Sequence, residues 1–214
     1  MHFYLDFNAS TPLAPEVLVR MEAVLNEPFG NPSSGHWAGN PARDAVESAR
    51  AGVAALLGCD AGEVVFTSGG SEANNQALKG VFFARQMERP HIITTQVEHP
   101  AILSPCRFLE RLGAQITYLP VDGFGHVDPD DVRRAVTPTT ILISVMHANN
   151  EVGTIQPIAV ISRIAQEHGI LFHTDAAQSV GKESSARVPN WAAPPCGLVD
   201  RVCYLSQWVG SPVP

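Results

Sequence analysis

Four short polar clusters in this chain have the residue types of a small-molecule site: Gly69-Gly70-Ser71, Glu98-His99, His147-Ala148-Asn149-Asn150-Glu151 and Asp175-Ala176-Ala177-Gln178. The first suits an anion. Two glycines stop a β-branched and aromatic run and a helical pattern begins at once, leaving unpaired N–H groups at the positive end of a helix dipole with no Cβ in the way of a phosphate. The second offers an imidazole, suited to stacking and proton transfer near neutrality. The third offers amides, and the fourth a carboxylate that closes an apolar run, where it is costly unless something pairs with it.

The elements that must position these clusters follow from hydrophobic patterning. Pro15 sets the first residue of a helix through about Asn26, and Asn40-Pro41 give an N-cap and first-turn pair for a helix that reaches Leu57 and is capped by Gly58. From Val64 the pattern alternates: strand 64–67, helix 71–87, strand 91–95, helix 101–112, strand 115–119, helix 129–136, strand 140–146, helix 157–168 and strand 170–174. The strands are continuous apolar runs, as in strands buried on both faces, so the sheet should be mostly parallel with helices on both sides. Each polar cluster then falls just after a strand, and the carboxyl edge of such a sheet is where ligands bind.

Composition narrows the partners. With 45% hydrophobic residues in 214, the chain can bury a full core; net charge is −7 and only Lys79 and Lys182 are lysines, which argues against a nucleic-acid or anionic-membrane surface. No run of 18 apolar residues and no signal-like N-terminus occurs, so a cytoplasmic location is expected. Cys59, Cys106, Cys196 and Cys203 have no CxxC spacing, so neither a disulfide framework nor a metal site is expected; Cys59 and Cys106 read as small buried residues.

Beyond the four clusters, further segments match a known pattern. Tyr4 to Pro12, Gly30-Asn31-Pro32-Ser33-Ser34, Phe66 to Glu72, Glu98-His99, Met146 to Gly153 and His173 to Lys182 together resemble, in family order, the class V aminotransferase superfamily of pyridoxal-phosphate enzymes, most closely the cysteine desulfurase and selenocysteine lyase group. The resemblance implies an α/β, three-layer transferase fold with a mostly parallel sheet, present here in truncated form. It implies a lead-in segment over 1–30, a partial cofactor-binding large domain over 31–182 and a divergent Pro-rich tail over 183–214. It also assigns roles: Gly70 and Ser71 to the cofactor phosphate, His99 to stacking on the pyridine ring and to proton transfer, and Asn150 to the phenolic oxygen or the substrate. Asp175 would pair with the ring nitrogen, and Gln178 with the phenolic oxygen.

The resemblance also shows what the chain lacks. Family members bind the cofactor covalently through a Schiff-base lysine in a Ser-x-His-Lys motif some twenty residues beyond Asp-x-x-Gln, and residues 183–214 contain no lysine. Lys182 follows too closely and Lys79 lies deep in a helix, so neither substitutes. None of the cysteines matches the family's sulfur-accepting cysteine. The implied reaction takes sulfur from cysteine and leaves alanine, supplying iron–sulfur cluster or other sulfur pathways; in the lyase variant selenium leaves selenocysteine. The implied partners are a second copy in a homodimer and a sulfur-acceptor protein. Residues near Asn8 to Thr11 and Gly30 to Ser34 are expected near the site or the dimer interface. The chain alone is expected to bind the cofactor non-covalently at best and to be inactive. The alternatives are a selenocysteine lyase-like fragment or a non-catalytic dimerisation or binding isoform.

Overall fold

Runs such as His91-Ile92-Ile93-Thr94-Thr95 and Thr140-Ile141-Leu142-Ile143-Ser144 are rich in β-branched and apolar residues, and both become strands buried on both faces. The structure is a computed structural model describing residues 3–27, 29–85 and 87–181. The tail, Lys182, Cys196 and Cys203 lie outside the described residues. The chain divides after Val64 into two compact units.

The first unit holds helix α1 (Pro15–Asn26) and helix α2 (Asn40–Leu57). Proline enters α1 at its first position, where the missing N–H costs nothing. Gly58 ends α2 at φ 66°, a left-handed conformation that favours glycine. The start of α2 differs from expectation. Gly39 is the N-cap and Asn40 is already helical, because the turn that delivers the chain closes on His36 one residue earlier. The Asn40 amide oxygen accepts from the Arg43 guanidinium instead of capping the helix. A short 3₁₀ turn (Ala61–Glu63) follows, closed by Glu63 accepting from the Asp60 N–H at 2.8 Å. The buried apolar residues of this unit are Ala14, Ala38, Ala54 and Val64, whereas Leu18, Val19, Met21, Val24 and Leu25 of α1 are exposed.

Residues 64–67, expected as a strand, form none. Val64 is extended at φ −91° and ψ 123°, but no strand among the described residues pairs with the run, and Val65 and Phe66 are exposed. β-propensity extends the backbone; only a neighbour makes a strand.

The second unit carries helix α3 (Gly70–Ala84), strand β1 (His91–Thr95), helix α4 (Pro100–Arg111), strand β2 (Gln115–Leu119), helix α5 (Pro129–Ala135), strand β3 (Thr140–Ser144), helix α6 (Ile158–Glu167) and strand β4 (Leu171–His173). All pairings are parallel and the order is β2-β1-β3-β4. The chain leaves β1 toward one edge through α4 and returns past it to β3 through α5. Right-handed crossovers therefore put α4 on one face and α5 and α6 on the other. The topological switch point lies between β1 and β3, where ligands of open α/β sheets bind.

On the α3–α4 face, Ala77, Leu78, Ile102, Cys106 and Leu109 pack with Ile92 and Leu142. Because strand side chains alternate, Thr94, Ser144 and His173 point to this same face two residues on, toward the carboxyl edge. The core thus changes from apolar to polar along the strands, and this polar end adjoins the loops that carry the candidate site.

Candidate functional site

Helix α3 begins at Gly70 with Gly69 as its N-cap, and no side chain caps it. The first intrahelical bond is Ala73 N–H to Gly69 O at 3.1 Å, so the amides ahead of it have no partner within the helix. A Cβ placed on Gly69 would meet nothing within 4 Å, which leaves the backbone open to a ligand. Ser71 is exposed in the first turn. Glu72 turns its carboxylate back to accept from the Ser68 N–H at 2.6 Å, which fixes the entry of the chain; hydrogen bonding from the Ser68 side chain and then from its backbone lowers the Glu72 pKa.

The turn after β1 holds Glu98 and His99. His99 is the N-cap of α4, its Nδ1 accepting from the Ala101 N–H at 3.1 Å. With Nδ1 an acceptor, the neutral ring carries its proton on Nε2, and the ring itself is exposed. Glu98 is buried; its Oε1 accepts from Thr95 Oγ1 at 2.8 Å and from the Met146 N–H at 2.9 Å.

The loop after β3 is shaped by Asn149. Its Oδ1 accepts from the N–H groups of Glu151 and Val152 at 2.8 and 3.0 Å, and its Nδ2 donates to Val97 O at 3.0 Å. Asn150, half-buried, follows this anchor. His147 is buried, with Nδ1 2.7 Å from Ser179 Oγ, and its N–H donates to Asp175 O at 2.9 Å.

Asp175 leaves β4 as a buried carboxylate. Asn74 Nδ2 donates to its Oδ2 at 2.8 Å, and the Ala177 N–H donates to its Oδ1 at 3.1 Å. Gln178, half-buried, lies on the turn that follows. His173 is buried beside Ser144, its Nδ1 2.9 Å from Ser144 Oγ; burial pushes its pKa down to about 4 despite the nearby Asp175 charge.

Gly70, Ser71, His99, Asn150, Asp175 and Gln178 all lie in the second unit, on the first turn of α3 and the loops after β1, β3 and β4. Hydrogen bonds join α3 to the β4 loop, and the β1 loop to the β3 loop. Asn8 to Thr11 and Gly30 to Ser34 belong to the first unit. Lys79 has Nζ 4.7 Å from the Phe108 ring centroid, on α4. Cys106 is buried, and desolvation raises its thiol pKa to about 12, the property of a packing residue; Cys59 is only partly buried. No metal-binding cluster is found among the described residues.

Sequence reasoning missed Asn74. The available signal was an amide next to Ala73 on the helix face that carries Ala77 and Leu78 into the core. Its Oδ1 is buried with no hydrogen-bond partner among the described residues, as are Thr94 Oγ1, Glu98 Oε2, His173 Nε2 and Thr174 Oγ1. So many orphaned atoms at one end of a sheet mark a place that a bound group or water completes. An open helix N-terminus, an oriented buried carboxylate and an imidazole with a free-facing ring fit a phosphorylated pyridine; the described lysine does not complete the set.

The aminotransferase class-V family matches residues 3–186. The chain is 57% identical over 178 residues to the cysteine desulfurase IscS of Dictyoglomus turgidum and 49% identical over 178 residues to that of Methanosarcina thermophila. These alignments cover 83% of this chain and 45% and 44% of the relatives, so the chain spans about half their length. Among solved structures, a NifS-like protein superposes with TM-score 0.82 at 40% identity, over 85% of this chain and 50% of that one. SspA in complex with cysteine superposes with TM-score 0.80 at 45% identity, over 83% and 51%.

Proposed function

The chain belongs to the aminotransferase class-V family of pyridoxal-phosphate-dependent proteins, and from that premise we propose that it carries the cofactor-binding half of a cysteine desulfurase. The observation that carries the reading is Asp175, buried and aimed by two donors, joined through Asn74 to the helix whose N-terminus is open to an anion.

In this reading the first-turn amides of α3, with Gly70 and the Ser71 hydroxyl, bind the cofactor phosphate, where the helix dipole favours negative charge. Asp175 accepts from the ring nitrogen, held in place by Asn74 and the Ala177 N–H. His99, with Nδ1 taken by the Ala101 N–H, would contact the ring and have its Nε2 proton to offer. Asn150 and Gln178 donate to the phenolic oxygen. Bound there, the cofactor supplies an electron sink for bonds at the carbons of an amino acid. Residues 183–214 contain no lysine, Lys182 follows Gln178 too closely in the sequence and Lys79 is engaged on α4, so in this reading the cup holds its ligand without a covalent bond and the chain alone does not turn over.

The substrate class is an amino acid carrying sulfur. Relatives named cysteine desulfurase and a similar structure holding cysteine favour cysteine over selenocysteine. A homodimer, a sulfur-acceptor protein and a cytoplasmic location belong to the same proposal; no described helix is long and apolar enough to cross a membrane. The test is direct. The purified chain, incubated with pyridoxal phosphate and cysteine, should release no sulfide or alanine above a cofactor-only control. Release above that control would overturn the inactive half-enzyme reading.

A further inference from the structure

Two loops at the switch point carry His99 and Asn150, and only two side chains stitch them together among the described hydrogen bonds: Glu98, through Oε1 to the Met146 N–H at 2.9 Å, and Asn149, through Nδ2 to Val97 O at 3.0 Å. Glu98 is 4% exposed, and the same Oε1 also takes the Thr95 hydroxyl at 2.8 Å. Its other oxygen, Oε2, is buried with no partner among the described residues. A carboxylate with two donors on one oxygen and none on the other leaves half its charge unsolvated; a carboxylic acid with its proton on Oε2 does not. We propose that Glu98 is a positioning residue that works as the neutral acid, holding the β1 loop with His99 against the β3 loop with Asn150.

The surroundings agree. Burial raises the Glu98 pKa to about 8, outweighing the bonds from Met146 and Thr95, and the Asp175 charge raises it further. The groups facing it are Asp175 beyond β4 and Cys106 on α4, whose thiol stays protonated with its pKa at about 12. No cation is among them, so no neighbouring charge offsets the burial. The link to catalysis rests on the cofactor reading above; the geometry of the two loops does not, and neither do its tests.

Because the folded pKa lies above the ordinary glutamate value of 4.5, the folded state holds a proton that the unfolded chain releases. The contribution of Glu98 to stability should therefore fall as pH rises from about 4.5 toward 8. The test is urea unfolding of the full chain across that range, without cofactor, for wild type and Glu98→Gln. The wild-type midpoint should decline relative to Glu98→Gln, which keeps a neutral acceptor and has no proton to lose. A difference that stays constant or rises with pH would overturn the neutral-acid assignment. Amide exchange separates positioning from packing: Met146 N–H protection should stay within about threefold in Glu98→Gln and drop by tenfold or more in Glu98→Ala. If Glu98→Ala does not fold, Thr95→Val supplies the second arm, and Met146 exchange should then rise only modestly with Glu98 Oε1 retained. Unchanged Met146 protection in a folded Glu98→Ala, or equal loss in Glu98→Gln, would overturn the positioning role.

Discussion

Asn74 and Asp175 stand 101 positions apart in the sequence, and the amide nitrogen of one lies 2.8 Å from a carboxylate oxygen of the other in the buried end of the sheet. The bond joins the helix that would hold the cofactor phosphate to the residue that would hold its ring. Removing Asn74 takes that donor from the buried Asp175 Oδ2. Asn74→Ala should destabilise the chain by about 1–3 kcal/mol in chemical unfolding and weaken pyridoxal phosphate binding about tenfold. Asn74→Asp, which sets two carboxyls against each other, should do more damage than Asn74→Ala.

Ser71 is exposed in the first turn of α3 and makes no packing contribution that its loss would expose. Ser71→Ala should leave unfolding within about 0.5 kcal/mol of wild type while weakening the cofactor several-fold in an absorbance titration. Equal affinity in the two proteins would remove the hydroxyl from the phosphate site.

His173 sets an acid limit. Its folded pKa is about 4 against an ordinary 6.5, so the unfolded chain takes up a proton first as pH falls. The stability it confers is present above pH 6.5 and is lost progressively toward pH 4. His173→Gln should flatten that limb of a thermal-midpoint profile. With Glu98 pulling in the opposite sense above about pH 4.5, the pair predicts a stability maximum on the acid side of neutral.

Lys79 offers a control. With Nζ over the Phe108 ring it is occupied on the outer side of α3, so Lys79→Met should cost at most about 1 kcal/mol and leave cofactor affinity unchanged. Leu78, its fully buried neighbour, should cost about 2–5 kcal/mol when cut to alanine.

The regular half of the fold was legible because its signals are local. Continuous apolar runs gave β1 and β2 to the residue, and Pro15 and Gly58 marked helix ends through backbone constraints that neighbours do not alter. What was not legible depends on distant partners. Residues 64–67 have strand composition but no described neighbour to pair with. Asn40 has capping chemistry, but the turn on His36 placed it one residue inside the helix. Polar residues at strand ends pointed to the candidate site, yet Asn74 sits mid-stripe in a helix and acquires meaning only when the segment after β4 brings Asp175 beside it. Glu98 was visible as a neighbour of His99; its bond to Met146 N–H joins residues 48 apart and has no sequence signature.

The most direct measurement is an absorbance titration of the purified chain with pyridoxal phosphate, followed by borohydride reduction and peptide mass mapping, with Asp175→Ala in parallel. The account predicts saturable binding by the wild type, greatly weakened binding by Asp175→Ala, and no specific reduced adduct on a lysine. Saturable binding unaffected by Asp175→Ala, or a reduced adduct mapped to Lys79 or Lys182, would contradict a cofactor cup that lacks its covalent anchor.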